Sequence, residues 1–143
     1  MNLDLFKQGL ILETAKNFSW EEFDSGENSI GLKTSLSLKK YDDDICMEVV
    51  MYEDSTLIVT FDFDFISCNK ETLLLVNHFN RNQLFFKAYI KPVRRGNLLT
   101  IRHATPNCSS VEQANNIVQF LIDELNSDYC ARFLIPLTVV TEG

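Results

Sequence analysis

The chain has 143 residues, a length typical of one folded domain, and 45% of them are hydrophobic, which is enough to bury a sizeable core. The net charge of −7 disfavours nucleic acid as a partner, because phosphate binding needs clustered Lys and Arg. No run of about 18 apolar residues predicts a membrane-spanning helix, and residues 1–4 lack the basic start of a signal peptide. We therefore expect a single cytoplasmic domain over residues 1–143, with no membrane partner.

The first half of the chain predicts a helix and three strands. Residues 3–17 repeat apolar side chains at helical spacing, and the acidic stretch 17–26 is predicted as turns. From Ile30 to Leu38, apolar residues alternate with small or charged ones, which is typical of a strand with one buried face. Strands are also predicted over residues 45–52 and 56–65, and Phe61, Phe63 and Phe65 would share one face of the second of these. The short connections between the strands favour an antiparallel meander.

The second half predicts two helices around a hairpin. Asn69 is a suitable N-cap for a helix whose buried stripe would be Leu73, Val76 and Phe79. Strands over 85–92 and 98–103 flank a turn at residues 94–97, where Gly96 would supply a positive φ. Ser109 and Glu112 fit a capping box for a last helix. The fold class is thus α+β, an antiparallel sheet of about five strands with helices packed on it, in the order α-βββ-α-ββ-α.

The tail after Tyr129 is apolar and β-branched, and Pro136 argues against a central strand. It could be an extra edge strand, a contact in a homodimer, or a segment that folds back onto a monomer.

The candidate catalytic and metal-binding groups are sparse. The four cysteines have no Cys-x-x-Cys spacing, so we expect four free thiols rather than a metal site or disulfides. Cys108 is the best placed for a nucleophile, because it precedes a predicted helix start. Asp62 and Asp64 would share one strand face about 7 Å apart and could hold a cation, although a solvated face is the simpler interpretation. No motif predicts a cofactor or a catalytic site, and we expect a protein that is not an enzyme.

Charge is distributed unevenly. Residues 1–64 carry 5 basic and 14 acidic side chains, a net −9, whereas residues 65–143 carry 8 basic and 6 acidic, a net +2. The basic residues cluster on the predicted hairpin, at Lys87, Lys91, Arg94, Arg95 and Arg102. They could bind an acidic ligand, pair with the acidic half of a second copy, or simply face solvent.

One segment resembles a known family. The helix end Leu75-Val76-Asn77-x-x-Asn80-Arg81 and the strand Phe86-Lys87-Ala88-Tyr89-Ile90 are similar to the YbjN family. These bacterial sensory-transduction-regulator-like domains are similar in fold to the small acidic chaperones of type III secretion. The resemblance implies an α+β domain that binds protein partners or dimerises, and it implies no catalytic residues. Asn77, Asn80 and Arg81 could instead serve only to satisfy backbone groups at the helix end.

Three functions follow as hypotheses. The first is a non-enzymatic protein-binding module, chaperone-like or regulatory. We expect its apolar contacts at Phe61, Phe63, Phe65, Phe85 and Tyr89, and its charged contacts at Lys91, Arg94 and Arg95. The second is an acidic inhibitor or immunity-type protein that occupies a basic cleft of a target enzyme through Glu21, Glu22, Asp24 and Asp42–Asp44. The third is a small metal-dependent enzyme that uses Asp62 and Asp64.

Overall fold

A computed structural model describes residues 1–139 of the chain. In chain order, the elements are α1 (Leu3–Glu13), β1 (Glu21–Phe23), β2 (Ser29–Leu36), β3 (Ile45–Tyr52), β4 (Leu57–Phe65), α2 (Lys70–Asn82), β5 (Lys87–Val93), β6 (Gly96–Thr105), α3 (Val111–Leu125) and α4 (Asp128–Thr138). The predicted α+β class is confirmed, with six strands in the described part of the chain rather than about five.

The six strands form one antiparallel sheet in the order β1-β2-β3-β4-β6-β5. The four helices pack on one side of it. The other side, which we call the open face, carries the alternate residues of every strand. The predicted meander is confirmed as β2-β3-β4, and the predicted hairpin is β5-β6.

The core lies between the helices and the covered side of the sheet. Strands β2 to β6 contribute alternate residues, so that Met47, Phe61 and Ile101 are paired neighbours across three strands and are fully buried. The helices contribute residues at helical spacing, and these include Phe6, Leu10, Val76, Phe79, Ala114, Val118, Leu121, Leu125, Cys130, Leu134 and Leu137. Because they form one contiguous cluster, a single core supports the whole described chain.

Gly9 lets α1 approach α3 closely. A Cβ at this position would lie 2.8 Å from Cγ2 of Val111, which is closer than real side chains pack. Glycine therefore costs helix propensity in the middle of α1 but permits the contact between the two helices.

A β-bulge divides β4. Asp62 pairs with Thr100 of β6, but Phe65 pairs with Leu98, so the register shifts by one residue between Asp62 and Phe65. The bulge turns Phe65 towards the open face and leaves Ile66 to enter the core, where it is buried. The prediction that Phe61, Phe63 and Phe65 share one face is therefore wrong.

The outer edge of the sheet at β5 is partly closed by one side chain. Asn80 of α2 donates from Nδ2 to the carbonyl of Ala88 at 3.0 Å, and its Oδ1 accepts from the Ala88 amide at 2.7 Å. Its amide thus takes the place that a neighbouring strand would occupy. Because backbone groups alternate in direction along an antiparallel strand, the backbone N–H and C=O groups of Ile90 also face the open edge of the sheet. Pro92 faces the same edge but has no N–H to donate.

The tail is a helix rather than a strand. Ser127 caps α4 by accepting from the Cys130 amide at 3.1 Å. Cys130, Leu134 and Leu137 then recur at helical spacing and are buried. Pro136 lies in the last turn, where it removes only one backbone donor. The alternative of an edge strand is therefore wrong, and the tail packs against α2 and α3 of its own chain.

The other boundaries are close to those predicted. Asn69 caps α2 as expected, and its Oδ1 accepts from the Thr72 amide. Gly96 has the predicted positive φ, at +148°. The cap of α3 is Ser110 rather than Ser109, and Gln113 takes the place expected for Glu112.

Candidate protein-interaction surfaces

The predicted partner-binding residues do not form one surface. Tyr89 and Lys91 project from β5 onto the open face, and Arg94 and Arg95 form the two-residue turn between β5 and β6. Phe85 precedes β5 and lies against Phe120 of α3, with ring centroids 4.9 Å apart. The structure therefore brings together the basic hairpin residues but separates them from Phe85.

A polar network occupies the centre of the open face. Lys91 Nζ lies 2.9 Å from Oδ2 of Asp62, and the Thr100 hydroxyl donates to Oδ1 of the same carboxylate at 2.8 Å. Asp62 and Thr100 are buried although they lie on the side without helices. Because the carboxylate already has a cation and a hydroxyl as partners, this part of the face is satisfied within the chain.

Glu48 borders this network. It pairs with Lys33 across β2 and β3. Its pKa is raised, first by partial burial and then by the nearby charge of Asp62, while Lys91 and Lys33 act in the opposite direction. The open face thus carries interleaved charges of both signs.

Of the aromatic residues expected to contact a partner, Phe61 and Phe63 do not provide an apolar surface on the open face. Phe61 is fully buried in the core and meets Phe86 edge to face at 6.2 Å, so it cannot contact a partner. Phe63 meets Tyr41 edge to face at 5.6 Å and is half-buried. Phe65 and Tyr89 are the expected aromatic residues that lie on the open face.

Lys87 and Arg102 lie directly opposite each other on β5 and β6, and both are exposed. Like charges at paired positions repel each other. Neither residue forms an ion pair within residues 1–139 that would offset this repulsion. The basic hairpin thus keeps its positive charge available to an anionic group.

The two aspartates of the predicted cation site make different contacts. Asp62 holds Lys91, whereas Asp64 follows in the bulge and accepts from the Phe65 amide at 2.7 Å. Among residues 1–139, no three His, Cys, Asp or Glu side chains are grouped as a metal site would require.

The four thiols are free and differ in burial: Cys108 and Cys130 are buried, Cys46 is half-buried and Cys68 is exposed. Burial raises the pKa of the Cys108 thiol, against a weaker opposing effect of a backbone hydrogen bond with Ser110, so its place before α3 does not make it a thiolate. Burial, with a smaller contribution from Glu124, raises the pKa of Cys130 to about 12. His78 stacks on Phe133 at 5.2 Å, and His103 hydrogen-bonds to the Phe85 carbonyl and the Thr105 hydroxyl.

An apolar surface on the side of the molecule that carries the helices was not predicted from the sequence. Leu73 was expected in the core, but the N-cap at Asn69 places Thr72 inward, and Leu73 is half exposed. Leu74 is 59% exposed, and Leu84, just after α2, is 93% exposed. We define the outer apolar surface as six of the exposed large side chains on α2, α3, α4 and the α2–β5 loop, namely Leu73, Leu74, Leu84, Phe85, Phe120 and Tyr129.

Contacts along α2 and α4 link the parts of the outer apolar surface. The Tyr129 hydroxyl donates to the Asn82 carbonyl at 2.9 Å, which places this ring beside the loop that carries Leu84. Tyr129 also meets Phe133 at 5.3 Å, and Phe133 meets His78 one helix away. One signal of this surface was present in the sequence, because the run Leu73-Leu74-Leu75-Val76 is wider than one helix face can bury.

An acidic cleft lies at one end of the sheet. It has a volume of about 400 Å³ and is lined by Lys40, Tyr41, Asp42, Asp43, Asp44, Ile45, Phe63, Asp64, Ile135, Thr138 and Val139. Lys40 forms an ion pair with Asp128. None of the four aspartates that line the cleft forms an ion pair within the described residues.

No protein-family model and no curated protein matches this chain. The resemblance to the YbjN family therefore stays a prediction that rests on residues 75–90. No helix within residues 1–139 combines the length and the apolar composition needed to cross a membrane.

Proposed function

We propose that this chain is a non-enzymatic protein-binding module, chaperone-like or regulatory, that captures apolar groups of a protein partner on the outer apolar surface. The observation that carries the proposal is the exposure of Leu84 together with the aromatic pair Phe85–Phe120 beside it. Contiguous exposed apolar side chains on a folded domain are typical of interaction sites, whereas isolated ones need no explanation.

The surface has the mixed character that protein interfaces share. Phe85, Phe120 and Tyr129 are aromatic, and aromatic side chains are enriched among the residues that contribute most to binding. Arg81 and Arg132 are exposed on the same two helices as Leu74 and Tyr129. A partner with an apolar anchor and flanking acidic groups would complement these residues.

The basic hairpin would act at longer range in this proposal. Arg94 and Arg95 lie on a different part of the molecule from Leu84, so they would accelerate encounter with an acidic partner rather than form the centre of the contact. Lys91 contributes less to this attraction, because it is already paired with Asp62. The association rate should then fall with added salt more than the dissociation rate rises.

The decisive experiment is affinity capture from an extract of the native cell, with three forms of the chain as bait. The wild type is compared with Leu84→Glu, which places a charge on the outer apolar surface. The matched control is Leu12→Glu, because Leu12 is 78% exposed on α1 and lies outside that surface. We expect the wild type and Leu12→Glu to retain the same stoichiometric partner and Leu84→Glu to lose it.

Two results would contradict the proposal. One is that the wild type retains no partner at low salt. The other is that Leu84→Glu retains the partner as well as Leu12→Glu does, which would place the contact elsewhere on the molecule.

One observation favours a second candidate, an inhibitor of a basic enzyme. Glu21 and Asp44 line a common cleft of about 420 Å³ at the acidic edge of the sheet, next to β1. A partner held there would be lost at moderate salt and would be insensitive to Leu84→Glu, so the same captures distinguish the two functions.

A further inference from the structure

Two oppositely charged features lie at the same end of the sheet. Strands β3, β4, β6 and β5 are neighbours and alternate in direction, so the start of β3, the end of β4 and the β5–β6 turn share one end. Asp42–Asp44 directly precede β3, and Asp64 lies near the end of β4. Arg94 and Arg95 form the turn. With strands about 5 Å apart, Asp42–Asp44 lie roughly 10–15 Å from the turn.

Both features lack a partner of opposite charge. The ion pairs of residues 1–139 are Lys7–Glu22, Lys40–Asp128 and Lys91–Asp62. Asp42, Asp43 and Asp44 are exposed, and so are Arg94 and Arg95. The acidic cleft and the basic turn are thus complementary, but the span of β4 and β6 keeps them apart within one chain.

The apolar parts of the two features also match. The lining of the acidic cleft also includes Tyr41, Phe63 and Ile135. The basic turn is preceded by Pro92 and Val93, both of which are exposed. A basic turn with an adjoining apolar residue would therefore meet a cleft lined by both acidic and apolar side chains.

We propose that two copies of this chain pair end to end, with the Arg94–Arg95 turn of each copy seated in the acidic cleft of the other. A two-fold axis that passes between the cleft and the turn exchanges them, so both contacts form at once and the assembly closes as a dimer. The outer apolar surface takes no part, and this inference is independent of the protein-binding function proposed above.

The dimer is expected to be weak and sensitive to salt, because exposed ion pairs contribute little each and are screened. Sedimentation velocity should therefore show self-association of the wild type that grows with protein concentration at low salt and weakens at high salt.

Charge exchange provides the test. The variant Arg94→Glu/Arg95→Glu places like charges in both contacts of its homodimer, and so does Asp42→Lys/Asp43→Lys. We expect each to weaken self-association by at least about tenfold. An equimolar mixture of the two variants restores opposite charges in both contacts and should dimerise again. The fourfold variant that carries all these changes should form a homodimer, and it keeps the wild-type net charge of −7.

Net charge is controlled by the same set of variants. Two Arg→Glu changes lower the net charge by four, from −7 to −11, whereas two Asp→Lys changes raise it by four, to −3. If both variants lose self-association, general repulsion between copies cannot be the cause, because one variant is more negative than the wild type and the other is less negative.

Three results would overturn the proposal. They are a monomeric wild type at low salt at every concentration, a mixture of the two variants that stays monomeric, and loss of the dimer in Leu84→Glu. The last result would assign the dimer contact to the outer apolar surface instead.

Discussion

Glu48 shows how a single side chain on the open face carries an electrostatic cost. Partial burial and the neighbouring carboxylate of Asp62 raise its pKa, and the lysines Lys33 and Lys91 do not fully offset these effects. A raised pKa in the folded state means that the ionised form is less stable in the folded chain than in the unfolded chain. The cost is present above the raised pKa and is absent below the ordinary value.

Glu48→Gln should therefore stabilise the protein at neutral pH. Because the side chain is still partly exposed to solvent, we expect a gain in the free energy of unfolding of less than about 1 kcal/mol. The gain should shrink as the pH falls through the raised pKa of Glu48 and vanish below the ordinary value of 4.5. Urea denaturation of both proteins between pH 4 and pH 8 measures the difference.

Glu27→Gln is the matched control, since Glu27 lies exposed in the turn before β2. This change should leave stability nearly unaltered across the same pH range. A destabilised Glu48→Gln at pH 7 would show that the attraction to Lys33 and Lys91 outweighs burial, and the interpretation of the open face would be wrong.

At the scale of elements, the contact between α2 and β5 depends on Asn80. Its amide makes two hydrogen bonds to Ala88 and covers part of the exposed edge of the sheet. Asn80→Leu removes both bonds and leaves the Ala88 amide and carbonyl unpaired. At about 1 kcal/mol for each neutral hydrogen bond, we expect a loss of about 2 kcal/mol in the free energy of unfolding, with increased aggregation through the freed edge.

Denaturant unfolding and light scattering measure the two effects of Asn80→Leu. Asn77→Leu is the control, because Asn77 lies one turn earlier on the same helix and is exposed. If both variants lost the same stability, the effect would belong to the helix surface rather than to the strand edge. This outcome would also remove the structural role of Asn80, which was one of the two interpretations considered for the helix end.

Sequence patterns predicted the elements that follow a single regular period. β3 has the predicted bounds, Ile45–Tyr52, because alternation and flanking turns agree there. β1 was missed since its three residues have no pattern of their own, and it forms because the Phe23 ring packs on Gly31 of the next strand. The bulge in β4 was invisible for a similar reason, because it arises from pairing with β6.

The tail and the candidate surfaces were harder to predict. β-Branched residues suggested an edge strand for the tail, and Pro136 argued only against a central strand. Burial of Cys130, Leu134 and Leu137 against neighbouring helices instead stabilises α4. The outer apolar surface depends on which side of α2 faces the sheet, and a shift of one residue from Leu73 to Thr72 decides that. The acidic cleft and the basic turn lie at the same end of the sheet because of the strand order, which no local sequence pattern specifies.

At the scale of the whole molecule, the charge difference between the two halves of the sequence becomes a difference across the sheet. The acidic residues Glu21, Glu22 and Asp24 lie at or beside β1, and the basic residues lie on β5, β6 and their turn, at the opposite edge. The separation is possible because one continuous core holds both edges. A single core also implies that the chain unfolds as one unit.

Cooperative unfolding can be tested from two distant points. Trp20, the only tryptophan, donates from Nε1 to the Thr14 hydroxyl at 2.7 Å and reports on the α1 side of the molecule. Leu134 is fully buried on α4, whose main helix contacts are with α2 and α3. Leu134→Ala should cost about 2–5 kcal/mol, as for other buried leucines.

If the core is one cooperative unit, Leu134→Ala should lower the denaturation midpoint measured by Trp20 fluorescence and the midpoint measured by far-UV circular dichroism by the same amount. Leu12→Ala, at an exposed position of α1, should leave both midpoints nearly unchanged, although Leu12 lies much closer than Leu134 to Trp20 in the sequence. A fluorescence midpoint that stayed at the wild-type value while the dichroism midpoint fell would show that α4 unfolds separately. In that case the outer apolar surface, which includes Tyr129 of α4, would belong to a part of the molecule that can open without the rest.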